Sequence, residues 1–496
     1  MKRILTFILT STLALSLASG QDFSEDDFPP PPPGAFDMDG DFEPGNGKGG
    51  DGFGTVADEK EPDLKAVKVL EDGDSFTGVK FTSKSQDQSV LLAEDGIKAS
   101  LSDSTLNKKK GDTSKVGQSN FYGLNAAVVA KSGANLQLNN VTIRTIAEGS
   151  NAVFATGEGS RITIDGIKIQ TDEDSSRGLD ATYGGTVEAK NVDITTKGAH
   201  CAAFATDRGE GNIIVDSGKA STAGQGSPVI YSTGNIRVAN ITGSATGSEI
   251  AVIEGKNSIS ITDSEISGGT DSRRDTGCGI MLYQSMSGDA NRGTSVFSAS
   301  NSRLISNSDG AFFYVTNTDA KINLSNTELV NSSGILLQVT QNYSSRGWGK
   351  QGANGGTLEF NAQNQQLAGK VITDSISKIT MNLKNGTSFK GSINEEKSGP
   401  VNLNISKDAT VELTANSYVN ILSDGDSSFA NIKSNGYTLF YNKNAEENKA
   451  LGNKVINLAD GGKIIGIEMT WEEVTPVKTQ KQGRPGKPPA GAKPKF

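Results

Sequence analysis

The side chains able to do chemistry are few, so those present are informative. A single His and two Cys leave little material for imidazole, metal or thiol catalysis. His200 stands in "KGAHCAAF" just before an apolar stretch, with no partner dictated by spacing, and reads as a turn residue. Asp180 is the one acid in a column otherwise filled by Val129, Phe154, Phe204, Tyr231, Val252, Leu282 and Tyr314, and Asp207 with Arg208 follows one repeat on. Acids and a base on neighbouring repeats are what polysaccharide cleavage needs, which makes Asp180, Asp207 and Arg208 the catalytic candidates. The opposing reading is that Asp180 is a surface acid, since a charge facing solvent costs nothing whereas one facing inward is expensive.

Aromatic and polar planar groups are the material of sugar recognition. Phe154, Phe204, Tyr231 and Tyr314 form an apolar stripe if their column points outward, and core if it points inward. Two long insertions, "QSMSGDANRG" at 284–293 and "QNYSSRGWGKQGANGG" at 341–356, follow the same strand two repeats apart. They fall on one edge about 10 Å apart. Together they gather Asp289, Asn291, Arg292, Tyr343, Arg346 and Trp348 as ligand-binding candidates. The alternative is a pair of flexible loops with Trp348 tucked against the body.

No cofactor is expected. Asp172, Glu173 and Asp174 are acidic enough for calcium, but without a glycine-turned loop they read as a solvated turn. Cys201 and Cys278 fall at nearly the same place three repeats apart, about 14 Å if stacked, so no disulfide is expected.

These residues are positioned by a repeat. Apolar or small residues recur at offsets 0, +2, +5 and +7, first as Leu136, Leu138, Val141 and Ile143, then as Ile162, Ile164, Ile167 and Ile169, and in six further copies to Leu329. Copies lie about 23 to 26 residues apart, a solenoid period. Steps of two mean strands; the step of three means a corner that keeps side chains inward. Offset +4 carries Asn140, Asn191, Asn240, Asn301 and Asn326, with Gly166, Ser217 and Asp263 between them. These types tolerate a left-handed backbone, and stacked asparagines can bond up the column as a ladder. A third, more continuously apolar strand precedes each pair, often closed by Thr at Thr156, Thr182, Thr206, Thr233 and Thr316. The expected fold is all-β: a parallel β-helix with three strands per coil. A leucine-rich repeat would need Leu at most slots and room for a helical segment.

With that corner column and three-strand coil, and on stretches such as "GSEIAVIEGKNSISITDSEISGG" and "GAFFYVTNTDAKINLSNTELVNSSGILLQV", the chain resembles the right-handed parallel β-helix proteins of the pectin-lyase-like superfamily and a group of secreted microbial β-helix proteins. The resemblance spans roughly residues 120 to 470 and implies a fold. It implies little about activity, since that superfamily includes lyases, hydrolases, adhesins and passenger domains. Right-handedness agrees with the rule for parallel crossovers. The polygalacturonase-like set of Asn-Thr-Asp, Asp-Asp, Gly-His-Gly and Arg-Ile-Lys is absent.

The flanks bound the domain. Lys2 and Arg3 precede an apolar run from Ile4 to Leu17, then small residues before Gln21, so residues 1–20 read as a secretory signal. Residues 21–64 form an acidic linker around Pro29 to Pro33, residues 65–473 the β-helix, and residues 474–496 a basic Pro/Gly-rich tail. Net charge −9 disfavours nucleic acid as a partner. No later stretch is apolar for long enough to span a bilayer. Sequons at Asn140, Asn240, Asn323, Asn331, Asn342, Asn385 and Asn404 leave the host kingdom open.

The preferred expectation is a secreted, non-catalytic surface or adhesin-like protein contacting glycan or cell-wall polymer through its edge loops. The alternatives are a polysaccharide lyase or hydrolase and a structural spacer.

Overall fold

The computed structural model describes residues 60–271, 277–285, 287–343 and 348–471. They form a parallel β-solenoid of about sixteen turns. Arg346 and the terminal segments, which carry the expected signal and tail and nearly all of the linker, lie outside the described residues.

One sheet contains twelve short strands stacked in parallel, from Lys65–Val69 through Val153–Thr156, Leu179–Thr182, Phe204–Thr206 and Ala251–Glu254 to Lys370–Thr373. The rest of each coil differs from expectation in one respect. Where the sequence predicts two strands separated by a corner, the coils from Asn135–Thr145 to Asn235–Ala245 carry one eleven-residue strand, as in Arg161–Thr171 and Thr186–Thr196, whereas the first coils are split, as in Lys98–Ser102 and Thr105–Lys108. A single left-handed residue bends it, unpaired itself but without shifting the register on either side, at Asn140 (φ 51°), Gly166 (φ 77°) and Asn191 (φ 55°). From Ser258–Thr262 and Glu265–Gly268 onward the two legs separate into distinct strands.

The four template slots are the core. Leu136, Leu138, Val141 and Ile143 are buried, as are Ile162, Ile164, Ile167 and Ile169, stacked in register with them. Each such aliphatic group contributes roughly 1.5–3 kcal/mol on full burial, so the columns dominate the stability of every coil. The third corner is held by hydroxyls: Thr171 donates to the Ser176 carbonyl (2.6 Å), and Thr196 and Thr222 make the same bond to Cys201 (2.5 Å) and Ser227 (2.5 Å). Buried polar backbone is thereby satisfied where the chain leaves the sheet.

The left-handed column is present at every predicted position, Asn240, Asp263, Asn301 and Asn326 included. Its side chains bond less regularly than a ladder requires. Asn326 donates to Asn301 (3.0 Å), but Asn191 and Asn240 reach instead to Asp165 and Asp216 (both 2.8 Å), because Gly166, Ser217 and Asp263 interrupt the stack. A more continuous amide ladder, not anticipated, lies on the outer face farther along: Asn404 to Asn382 (2.8 Å), Asn382 to Asn361 (3.0 Å) and Asn361 to Asn323 (3.2 Å).

Candidate functional site

The outer face of the short-strand sheet holds the predicted chemistry. Pairing aligns Val129, Phe154, Asp180, Ala205, Tyr231, Val252, Met281 and Tyr314 in one column. Phe204 and Leu282, expected in it, belong to inward columns. Phe204 stacks between Leu179 and Ile230 in the main core. Aligning the coils on a closing Thr had placed Thr206 beside Thr182; Thr206 pairs with Ala181, and a one-residue slip exchanges the faces of a strand.

The expected aromatic stripe does point outward, except at Phe204, but it is not a bare platform. Phe154 and Tyr314 are fully buried and Tyr231 is half-buried. Insertions roof the sheet. The first contains the seven-residue helix Val116–Tyr122, ended by Gly123 in left-handed conformation (φ 73°). A Cβ at Gly123 would also stand 2.6 Å from the Phe154 ring, so backbone and packing both demand glycine there. The second and third are the expected loops. Trp348, at 6% exposure, packs on Tyr283 with ring centroids 4.8 Å apart and joins Tyr314, Met281 and Val252 in a satellite core. The tucked arrangement of Trp348 is the one observed.

Under this roof the catalytic and loop candidates meet. Arg177 ion-pairs with Asp207 (2.9 Å), lies 3.8 Å from Asp180 and donates to Asn120 of the helix (2.6 Å). Arg208 covers the Phe121 ring at 3.9 Å and grips Asp289 of the second insertion (2.6 Å). Glu254, one coil beyond Tyr231, accepts from Tyr283 (2.9 Å), Tyr231 (3.1 Å) and Ser285. Of the other candidates, Asn291 donates to Glu210 (2.8 Å) and is exposed, Arg292 is exposed, and Tyr343 is 73% exposed.

Burial sets the electrostatics. Asp180 is fully buried, so desolvation holds it well above the usual carboxylate range despite the opposing field of Arg177. Asp207 is pushed up to about 6, again by burial, with Arg177 opposing. Glu254 is pushed up to about 7 by burial, against the hydrogen bond from Ser285. Three carboxyls on one face thus titrate far above their ordinary range, the setting in which acid–base chemistry is found.

No family model, curated protein or solved structure matches the chain.

The remaining candidates are structural. His200 occupies a turn with φ 57°. Both cysteines are buried free thiols. Cys201 accepts from the Ser176 amide (3.0 Å) in a column otherwise occupied by Ser150, Ser176 and Ser227, and burial pushes its thiol up to about 12. Asp172 pairs with Lys197 (2.8 Å) and Arg144 (3.1 Å), and although partial burial opposes them these bonds hold it down at about 2. No cluster suited to a metal occurs among the described residues.

Sequence reasoning missed Arg177, Glu254, Tyr283, Ser285 and Asn120. Glu254 was within reach, because it lies two residues beyond Val252 and therefore faces outward with it. Arg177 precedes its strand, and Asn120 lies in an insertion whose docking no local pattern encodes.

Proposed function

We propose that this chain is a secreted, non-catalytic binding protein, a parallel β-helix of the pectin-lyase-like kind, that contacts glycan or cell-wall polymer through its edge loops. The observation that carries this reading is how the candidate catalytic charges are used. Arg177 and Arg208 are paired to Asp207 and Asp289, Asp180 is sealed, and the network ties two insertions to the sheet. Of the loop candidates, Tyr343 in one insertion and Asn291 and Arg292 in the other stay exposed, an aromatic ring and planar polar groups. Such groups pair with the faces and hydroxyls of sugars. The basic tail would add electrostatic retention by anionic wall polymers, weakened by salt.

A glycan array with wild type and Tyr343→Ala tests the loop contact. Selective binding reduced about tenfold, a loss of roughly 1.4 kcal/mol, supports it; no glycan bound by either protein sinks it. Deleting residues 475–496 should lower wall retention at low salt.

One observation favours a second reading, a polysaccharide lyase or hydrolase: burial raises Asp180, Asp207 and Glu254 together above the ordinary carboxylate range. Cleavage of an acidic polysaccharide, with or without calcium, that is lost in Asp180→Asn would establish it over the first.

A further inference from the structure

One side chain at the edge of the roofed face stands on a strained backbone. Where the short strands Val128–Lys131, Val153–Thr156 and Leu179–Thr182 end, the chain turns left-handed, at Ser132 (φ 53°), Gly157 (φ 85°) and Tyr183 (φ 48°) in turn. The three are equivalent, because Lys131 pairs with Thr156 and Thr156 with Thr182. Glycine takes such a corner freely and a short side chain at modest cost, but a bulky ring there is an outlier. Strain of this kind persists where the surroundings hold a side chain in place, and it points to a use for that side chain.

What the strain secures is the position of the ring. Tyr183 lies nearly parallel to Tyr122, with ring centroids 5.2 Å apart and planes 15° apart, and its hydroxyl donates to the Tyr122 hydroxyl (3.2 Å). The hydroxyl ends are closer together than the ring centres, so the ring carbons beside the hydroxyls face one another. Three features fix the pair. Tyr122 ends the helix Val116–Tyr122, which Gly123 terminates in left-handed conformation. The Thr182 hydroxyl donates to the Phe121 carbonyl (2.9 Å), pinning that end of the helix beside Tyr183. Gly209 leaves room for the Tyr183 ring, since a Cβ there would stand 2.5 Å from its Cδ1. Both tyrosines are half-buried, so each keeps some contact with solvent.

We propose that Tyr122 and Tyr183 form an oxidative cross-linking site, joined by a carbon–carbon bond between the ring positions beside their hydroxyls. The co-reactant is a one-electron oxidant of the haem-peroxidase class supplied with hydrogen peroxide. Each phenol gives up one electron and its hydroxyl proton, and the unpaired electron of the resulting phenoxyl radical spreads to the ring carbons beside the oxygen. The two radicals combine to form the bond. The hydrogen on each bonding carbon then moves as a proton to the oxygen of its own ring, which restores the aromatic ring and the hydroxyl. One peroxide takes up the two electrons and two protons and leaves as two waters. The bond ties the inserted helix to a coil 61 residues farther along the chain. Neither thiol competes for the oxidant, since Cys201 and Cys278 are buried. The site is independent of the glycan reading.

The test oxidises the purified full chain with a haem peroxidase and limiting hydrogen peroxide, read by dityrosine fluorescence and by mass spectrometry of the digest. The expected product is monomeric, forms in a yield that does not change on dilution, and contains the Tyr122 and Tyr183 peptides joined with loss of two hydrogens. Hydrogen exchange across Val116–Tyr122 should slow about tenfold or more, because a cross-link removes chain entropy from the opened state. Tyr183→Phe should give no such product, while Tyr343→Phe, which removes a tyrosine that is 73% exposed, should give it unchanged. A monomer without the Tyr122–Tyr183 link once the peroxide is consumed overturns the proposal, whether oxidation has gone to dimers through Tyr343 or to another pair such as Tyr231 and Tyr283. So does fluorescence in Tyr183→Phe equal to that of wild type. The wild-type digest decides the matter even if Tyr183→Phe fails to fold.

Discussion

Glu254 sits in the middle of its titration at neutral pH, and the sign of its effect follows from burial. Its carboxyl is raised from an ordinary value of 4.5 to about 7 in the folded chain, and Asp207 moves from 3.8 to about 6. The folded state therefore binds more protons than the unfolded one across this window. Stability from these groups is present below the unfolded values and is lost as pH rises through 6 and 7. We expect the melting temperature to be higher at pH 5 than at pH 8. Glu254→Gln should flatten that dependence, by a free energy on the order of 3 kcal/mol at most. A melting profile in which wild type and variant share the same pH slope would refute this role. The predicted residues themselves divided by what covers them: Trp348 became core and Tyr343 stayed exposed. Sequence could not separate them, because exposure depends on what lies above each ring.

At the scale of elements, the insertions are held by few, specific contacts. Arg208 is one of several polar ties between the sheet and the 284–293 segment, through Asp289, beside Ser285 on Glu254 and Asn291 on Glu210. Arg208→Ala should leave the coil intact and loosen that segment, visible as faster hydrogen exchange at residues 287–291 with unchanged protection in Thr186–Thr196. Because the variant also strands Asp289 beneath the roof, a loss of about 1–3 kcal/mol is expected. Equal exchange in the two proteins would assign the docking to the bonds of Ser285 and Asn291 instead. The elements of the coil were legible because two-residue alternation and the left-handed corner residues are local properties of the chain. The helix Val116–Tyr122 was not. It is short, has no side-chain cap at its start, and is stabilised by what it covers.

Over the whole molecule, each coil's strands pair only with those of its neighbours, the insertions alone reaching farther, so stability is close to a sum over coils and their interfaces. Removing one complete coil should therefore be milder than damaging one. Deleting residues 212–234 joins Gly211 to Asn235, whose register partner through Asn212 is Thr186, and restores every inward column. A folded, β-rich chain with a melting temperature lowered by a few degrees is expected. Ile236→Asp, which puts an unpaired charge into a fully buried slot, should be far more damaging. If circular dichroism finds the deletion unfolded and the substitution folded, the additive picture is wrong.

Sequence by itself determined the four-slot part of the coil: which of those residues face inward, where the chain turns left-handed, and that successive copies stack, while the facing of the third strand stayed open and its register slipped at Phe204 and Leu282. Those features repeat at fixed spacing, and each depends only on residue type and parity. Tertiary structure alone decided which outward residues meet, since that depends on how three unrepeated insertions lie over the sheet. Their docking brought Arg208 to Asp289, buried Trp348 and sealed Asp180.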